Sequence, residues 1–149
     1  MLSSKAKYGL KAMVHLAARE GEGSVLISGI AEAERIPKKF LDAILLELKN
    51  HGMLSSKKGK GGGYTLARPA ARITVGDVLR ILDGPLAPVP CVSRTAYRRC
   101  DDCQDETGCA VRAVMQEVRD SIAAILDNTS VADLANKRQK AERILMYDI

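Results

Sequence analysis

Every cysteine of the chain, Cys91, Cys100, Cys103 and Cys109, lies in one nineteen-residue stretch with the spacing C-x8-C-x2-C-x5-C. Isolated structural cysteines scatter through apolar core positions, whereas four thiols on one hydrophilic, turn-rich segment read as ligands for a single centre. Four cysteines that include one C-x2-C pair satisfy a tetrahedral zinc site, although a usual zinc ribbon has two such pairs. The same pair, Cys100 and Cys103, also has the spacing of a thiol-disulfide switch. The chemistry is therefore metal binding or redox, and the flanking elements must say what it serves.

The chain has 149 residues, 46% of them hydrophobic, enough to bury a core as one domain or a small domain with an appendage. No opening stretch has the order of a signal peptide, and no apolar run approaches the ~20 residues that cross a bilayer. A cytoplasmic protein without a membrane partner is expected, with its thiols kept reduced. The formal net charge is +5 and unevenly spread. Residues 1–83 carry 14 Lys and Arg against 8 Asp and Glu, while residues 84–149 carry 9 against 10. The basic first half suits a phosphate backbone. With only His15 and His51 available, no Ser/His/Asp or Cys/His arrangement supports catalysis, and no enzyme is expected.

From Ser3 to Arg19 the residues Ala6, Leu10, Met13, Val14 and Ala17 form a helical stripe that Gly21 and Gly23 stop, with Lys5, Lys7 and Lys11 able to reach phosphates. His15 sits within the stripe and reads as a hydrogen-bonded core histidine. Ser28 suits the N-cap of a short helix through Ile30, Ala31 and Ala33. Pro37 opens another, to Asn50, expected to bury Phe40, Leu41, Ile44, Leu45 and Leu48 and to end at Gly52. His51 fits a helix C-terminus. Two helices joined by a tight turn, with Lys38, Lys39, Asp42 and Ala43 on the outer face of the second, have the form of a helix-turn-helix.

Met53–Ser56 and Tyr64–Ala67 read as strands around a glycine-rich basic tip, a β-hairpin wing. A nucleotide-binding loop would open a helix, whereas Tyr64-Thr65-Leu66 opens a strand. Lys57, Lys58 and Lys60 are thus expected on DNA phosphates or the minor groove, and Lys38, Lys39, Asp42 and Ala43 at base edges. Thr74 caps a helix carrying Val75, Val78, Leu79 and Leu82. From Gly84 to Gly108 no regular element is expected. A long helix begins at Cys109, with Val111, Met115, Val118, Ile122 and Ile125 at steps of four, three, four and three, a seam for another helix. A chain this small has little to cover that seam, so pairing with a second copy is expected. A short helix at Val131–Leu134 and a charged tail to Ile149 follow. The fold class is mainly α with a small β-hairpin wing, divided into a winged helix-turn-helix domain (1–83), a cysteine loop (84–108) and a dimerisation helix with its tail (109–149).

These elements, in this order, resemble the Rrf-type bacterial transcription regulators, the family of IscR, NsrR, RirA and CymR. The likeness rests on Lys7-Tyr8-Gly9-Leu10-Lys11-Ala12, Ile36-Pro37-Lys38-Lys39-Phe40-Leu41, Gly52-Met53-Leu54-Ser55-Ser56, Gly59-Lys60-Gly61-Gly62-Gly63-Tyr64-Thr65-Leu66 and Ile73-Thr74-Val75-Gly76-Asp77-Val78. It implies a homodimer that represses or activates promoters at palindromic sites on double-stranded DNA. Some members of the family carry an iron-sulfur cluster, typically on three cysteines. Here Cys91 and Cys109 fall where the first and last ligands do, and both Cys100 and Cys103 compete for the middle. Where IscR-like members place a fourth ligand this chain has Arg112, and where NsrR-like members have an acidic residue it has Lys7. Neither side chain is a ligand, since both are protonated at neutral pH. An all-cysteine set would suit a 2Fe-2S or a 4Fe-4S cluster sensing iron, redox state or nitric oxide. Zinc, a thiol switch, or a metal or redox carrier are the alternatives.

Overall fold

The computed structural model describes residues 2–147, so Met1, Asp148 and Ile149, the last two in the expected tail, lie outside the described residues. Helix α1 (Ser4–Ala18) starts at Ser3, whose hydroxyl accepts the Ala6 N–H at 3.0 Å. It buries Ala6, Ala12, Met13 and Leu16 against α3 (Lys38–Asn50) and α4 (Val75–Asp83). Gly9 makes the α1–α4 crossing possible: a Cβ there would stand 2.1 Å from Leu82 Cδ1. Helix α2 (Ile27–Glu34) completes the first layer, and Ile30, Leu41, Leu45, Leu48, Ile73 and Val78 fill the core between these helices.

Helix α2 begins earlier than expected. Leu26 is its N-cap and makes no side-chain cap bond, so Ser28 lies inside the first turn. The reason is not local. Val25 exchanges backbone bonds with Tyr64, at 2.9 and 2.8 Å, and this bridge fixes where extended chain gives way to helix. Pro37 is likewise the N-cap of α3 rather than its first helical residue.

The hairpin pairs β1 (Leu54–Lys57) with β2 (Gly63–Leu66) antiparallel, Leu54 opposite Leu66 and Lys57 opposite Gly63. Helix α4 has the reciprocal capping box: Thr74 Oγ1 accepts from Asp77 N–H at 3.0 Å and Asp77 from Thr74 N–H at 3.2 Å. Between Gly84 and Gly108 the only helical feature is a 3-10 turn, Pro90–Val92.

Helix α5 (Ala110–Leu126) is capped by Cys109 and buries none of its own residues. Val111, Val118 and Ile125 are exposed, with Met115 and Ile122 half-buried. Arg80 on α4 grips Asp127 at its end with two bonds of 2.6 and 2.8 Å. Beyond it the chain forms a second long helix, α6 (Val131–Tyr147), where a short helix and tail were expected. Its polar sequence shows little periodicity, and contacts distant in sequence hold it. Val131 is fully buried and its N–H bonds Ile73 O at 2.8 Å; farther along, α6 packs on α1. Val131, with Leu126 and Leu134 packed beside it, thus joins the start of α6 to the core of the winged half.

Candidate functional site

The turn between α2 and α3 is made by Arg35, which takes the left-handed conformation (φ 54°, ψ 48°), while Ile36 behind it is buried. This swings α3 so that Leu41, Ile44, Leu45 and Leu48 face the core. Lys38, Lys39, Asp42 and Ala43 all stand exposed on its outer side. Phe40 does not join the core as expected: it is 64% exposed, at the edge of the buried face. The hydrophobic rule that assigned it inward gave no signal of this. On the hairpin, Lys57 ends β1, Lys58 and Lys60 lie at the tip, and all three are exposed. Strand β2 lies near α3: burial, then the Asp42 carboxylate, pushes the Tyr64 phenol above its ordinary value. Two of the other lysines are committed within the chain. Lys5 pairs with Glu47 on α3 at 2.6 Å, and Lys11 Nζ donates to Glu34 O at 2.6 Å. His51 caps α3 with Nδ1 2.9 Å from Glu47 O.

All four cysteines are free thiols. Cys91 is buried in the Pro90–Val92 turn, and the loop folds back so that Arg98 N–H bonds Pro90 O at 3.2 Å. Cys100 thereby comes beside Cys91. The Cys91 thiol as hydrogen-bond partner, followed by burial and the nearby Cys91, Asp102 and Cys103, holds the Cys100 thiol above its ordinary value. Cys103 N–H bonds Cys100 O at 3.1 Å, and Cys109 Sγ accepts from Arg112 N–H at 3.4 Å as the cap of α5. Among the described residues no three His, Cys, Asp or Glu side chains stand together so as to hold a metal ion.

Arginines fasten this loop. Arg119 Nη1 donates to Val92 O at 2.6 Å, Arg112 Nη2 to Cys91 O at 3.5 Å, and Arg99 Nη2 to the carbonyls of Cys103 and Gln104 at 3.3 and 3.2 Å. Arg112 Nε is buried without a partner. Sequence reasoning missed Arg119, although its seven-residue spacing from Arg112, two helical turns, puts both on one face of α5. The donor set fits a thiolate-bound cluster or zinc in chemistry: four reduced thiols and a buried guanidinium N–H open to an anion. The spacing of the thiols does not gather them, so coordination requires the loop to close.

A helix-turn-helix whose second helix is followed by a basic two-stranded hairpin defines a winged-helix transcription regulator. Residues 2–137 match the family model described as Rrf2, iron-dependent transcriptional regulator, and the chain belongs to the Rrf2 family of transcriptional regulators, which are not enzymes. It is 38% identical over 148 residues to an rrf2-like HTH-type regulator of Rhodobacter capsulatus, covering 97% of this chain and 99% of that one. With CymR of Bacillus subtilis it shares 32% over 148 residues, 99% of each. The solved structure of that CymR, the global cysteine regulator, superposes with a TM-score of 0.77 over 92% of this chain and 97% of its own. The structure described as T. potens IscR superposes with a TM-score of 0.75 at 30% identity, over 95% of this chain and 90% of its own. Among the described residues no helix is long and apolar enough to cross a membrane.

Proposed function

We propose that this regulator is a homodimer whose binding to palindromic promoter DNA is controlled by an iron-sulfur cluster on Cys91, Cys100, Cys103 and Cys109. One observation carries the reading: four reduced thiols lie on an arginine-anchored loop beside the buried, unpartnered Nε of Arg112, between the winged half and the bare face of α5. When bound, the cluster supplies a redox- and iron-dependent cross-link of the loop. Arg112 and Arg99 offset the negative charge of the thiolates. Arg119 keeps the Pro90–Val92 turn on α5, so closure of the loop bears on that helix. The exposed Val111, Val118 and Ile125 pack against the same helix of a second copy. Two recognition helices then read half-sites, with Lys38, Lys39, Asp42 and Ala43 at base edges and Lys57, Lys58 and Lys60 on the backbone. Phe40, exposed beside them, joins that surface.

Anaerobic purification followed by visible absorption and iron and sulfide analysis tests the cluster. Coloured protein with iron and acid-labile sulfide is expected, and colourless protein with stoichiometric zinc overturns it. A second reading, a thiol switch without metal, is favoured by the closeness of Cys91 and Cys100 and by the likeness to CymR. It would join Cys91 to Cys100 rather than Cys100 to Cys103. Peptide mapping of peroxide-treated, metal-free protein distinguishes the two disulfides.

A further inference from the structure

The least expected polar group in the molecule is Glu34, the last residue of α2, 4% exposed and 104 positions from its strongest partner. Arg138 Nη1 on α6 donates to Glu34 Oε1 at 2.6 Å, and His15 Nδ1 on α1 lies 3.0 Å from the same oxygen. The backbone of Glu34 is held as well, through Lys11 Nζ at 2.6 Å from its carbonyl oxygen. Burial opposes the charge, but the Arg138 and His15 hydrogen bonds win and hold the carboxyl below its ordinary value. A buried carboxylate with two partners, on a residue whose backbone is held by a third, resists displacement, because losing a partner strands a charge in a poorly hydrated place.

Its position gives this cluster a consequence. Glu34 directly precedes Arg35, whose left-handed turn aims α3, and α3 starts only three residues later at Lys38. Arg138 sits in the middle of α6, the helix that continues from α5. Beside the cluster a cleft of about 510 Å³, lined by His15, Arg19, Ala33, Asn136 and Arg138 among others, opens between parts of α1 and α6. Apolar packing of α6 reaches Leu134, and one turn farther on the ion cluster ties the helix to α1 and α2.

We propose that Arg138, acting through Glu34, is a positioning residue for DNA reading: it ties the C-terminal helix to the helix-turn-helix turn, so the aim of α3 depends on where α6 is held. This rests on the reading of α3 as the DNA-contacting helix. The full-length dimer is measured against a duplex selected from random sequence by the wild-type protein, with the active fraction fixed by stoichiometric titration. Arg138→Met is expected to raise the Kd of the active fraction by roughly tenfold, within the usual range of coupling between sites. The slope of affinity against salt should stay unchanged, since Arg138 touches no phosphate. Arg138→Lys should recover part of the loss. Should Arg138→Met fail to fold, the double variant Glu34→Gln with Arg138→Met, which removes the stranded carboxylate, is judged by the same readings. An unchanged Kd for the active fraction overturns the proposal, as does a salt slope lowered by about one, the mark of a direct phosphate contact. Lys39→Ala is the control. If it too leaves Kd unchanged, the assignment of α3 has failed; if it alone weakens binding, only the role of Arg138 has.

Discussion

The winged half and α5 both carry apolar side chains at helical spacing and reach opposite ends. In the first, Met13, Ile30, Leu41, Leu45, Leu48, Ile73 and Val78 are fully enclosed by their own chain. In the second, a seventeen-residue helix with a regular apolar seam encloses none of its residues. The first region closes its core within one chain, with Val131 of α6 included, whereas α5 leaves its apolar seam bare. Where the cysteine loop meets α5, backbone carbonyls are held by arginines rather than by an apolar core. The proposed closure of the loop acts on a region held in this way and not on the core of the winged half.

The contrast is broken most directly by truncating one side chain in each region. Leu45→Ala should cost about 2–5 kcal/mol in chemical denaturation, the usual loss for a filled core position. Ile125→Ala, at low protein concentration, should change stability by less than about 0.5 kcal/mol. Equal losses would mean that α5 is as enclosed as the core. Ile125→Glu sharpens the other side, and sedimentation should find monomer with the fold retained. A surviving dimer would put the interface elsewhere.

A smaller effect tests the Glu34 cluster through pH. Because its carboxyl is held below the ordinary 4.5, its stabilising contribution is complete above that value and fades as pH falls through the lower folded-state value. The difference in urea midpoint between wild type and Glu34→Gln should therefore shrink as pH falls below about 4.5. A difference independent of pH would mean that the charge does not matter. The smallest change is expected at the wing, where Lys58→Ala should lower the salt slope by about one and weaken all sequences alike. Loss confined to particular sequences would indicate base reading instead.

What could be read from the sequence followed how local its cause was. The seam of α5, the capping residue Thr74, the hairpin with its glycine-rich tip and the core face of α3 all follow from short-range periodicity or turn chemistry, and the structure has them. His15 is the hydrogen-bonded core histidine expected. The start of α2 was misjudged because the Val25–Tyr64 bridge, between residues far apart in sequence, decides it. The length of α6 was missed because Val131 and Arg138 hold it from outside its own pattern. Phe40 was placed inside on hydrophobicity alone, although its helical position puts it at the boundary. Of the cysteine segment, the lack of long regular elements between Gly84 and Gly108 was legible. The nearness of Cys91 to Cys100 was not, because the Arg98–Pro90 bond that folds the loop back has no local signature.

The central claim, that the state of the cysteine loop sets DNA affinity, is tested most directly by one binding comparison. Protein purified anaerobically and the same preparation stripped by a chelator are titrated, at one salt concentration, with the selected duplex. The account predicts Kd values that differ by roughly tenfold or more. Equal Kd values for the two forms would contradict it.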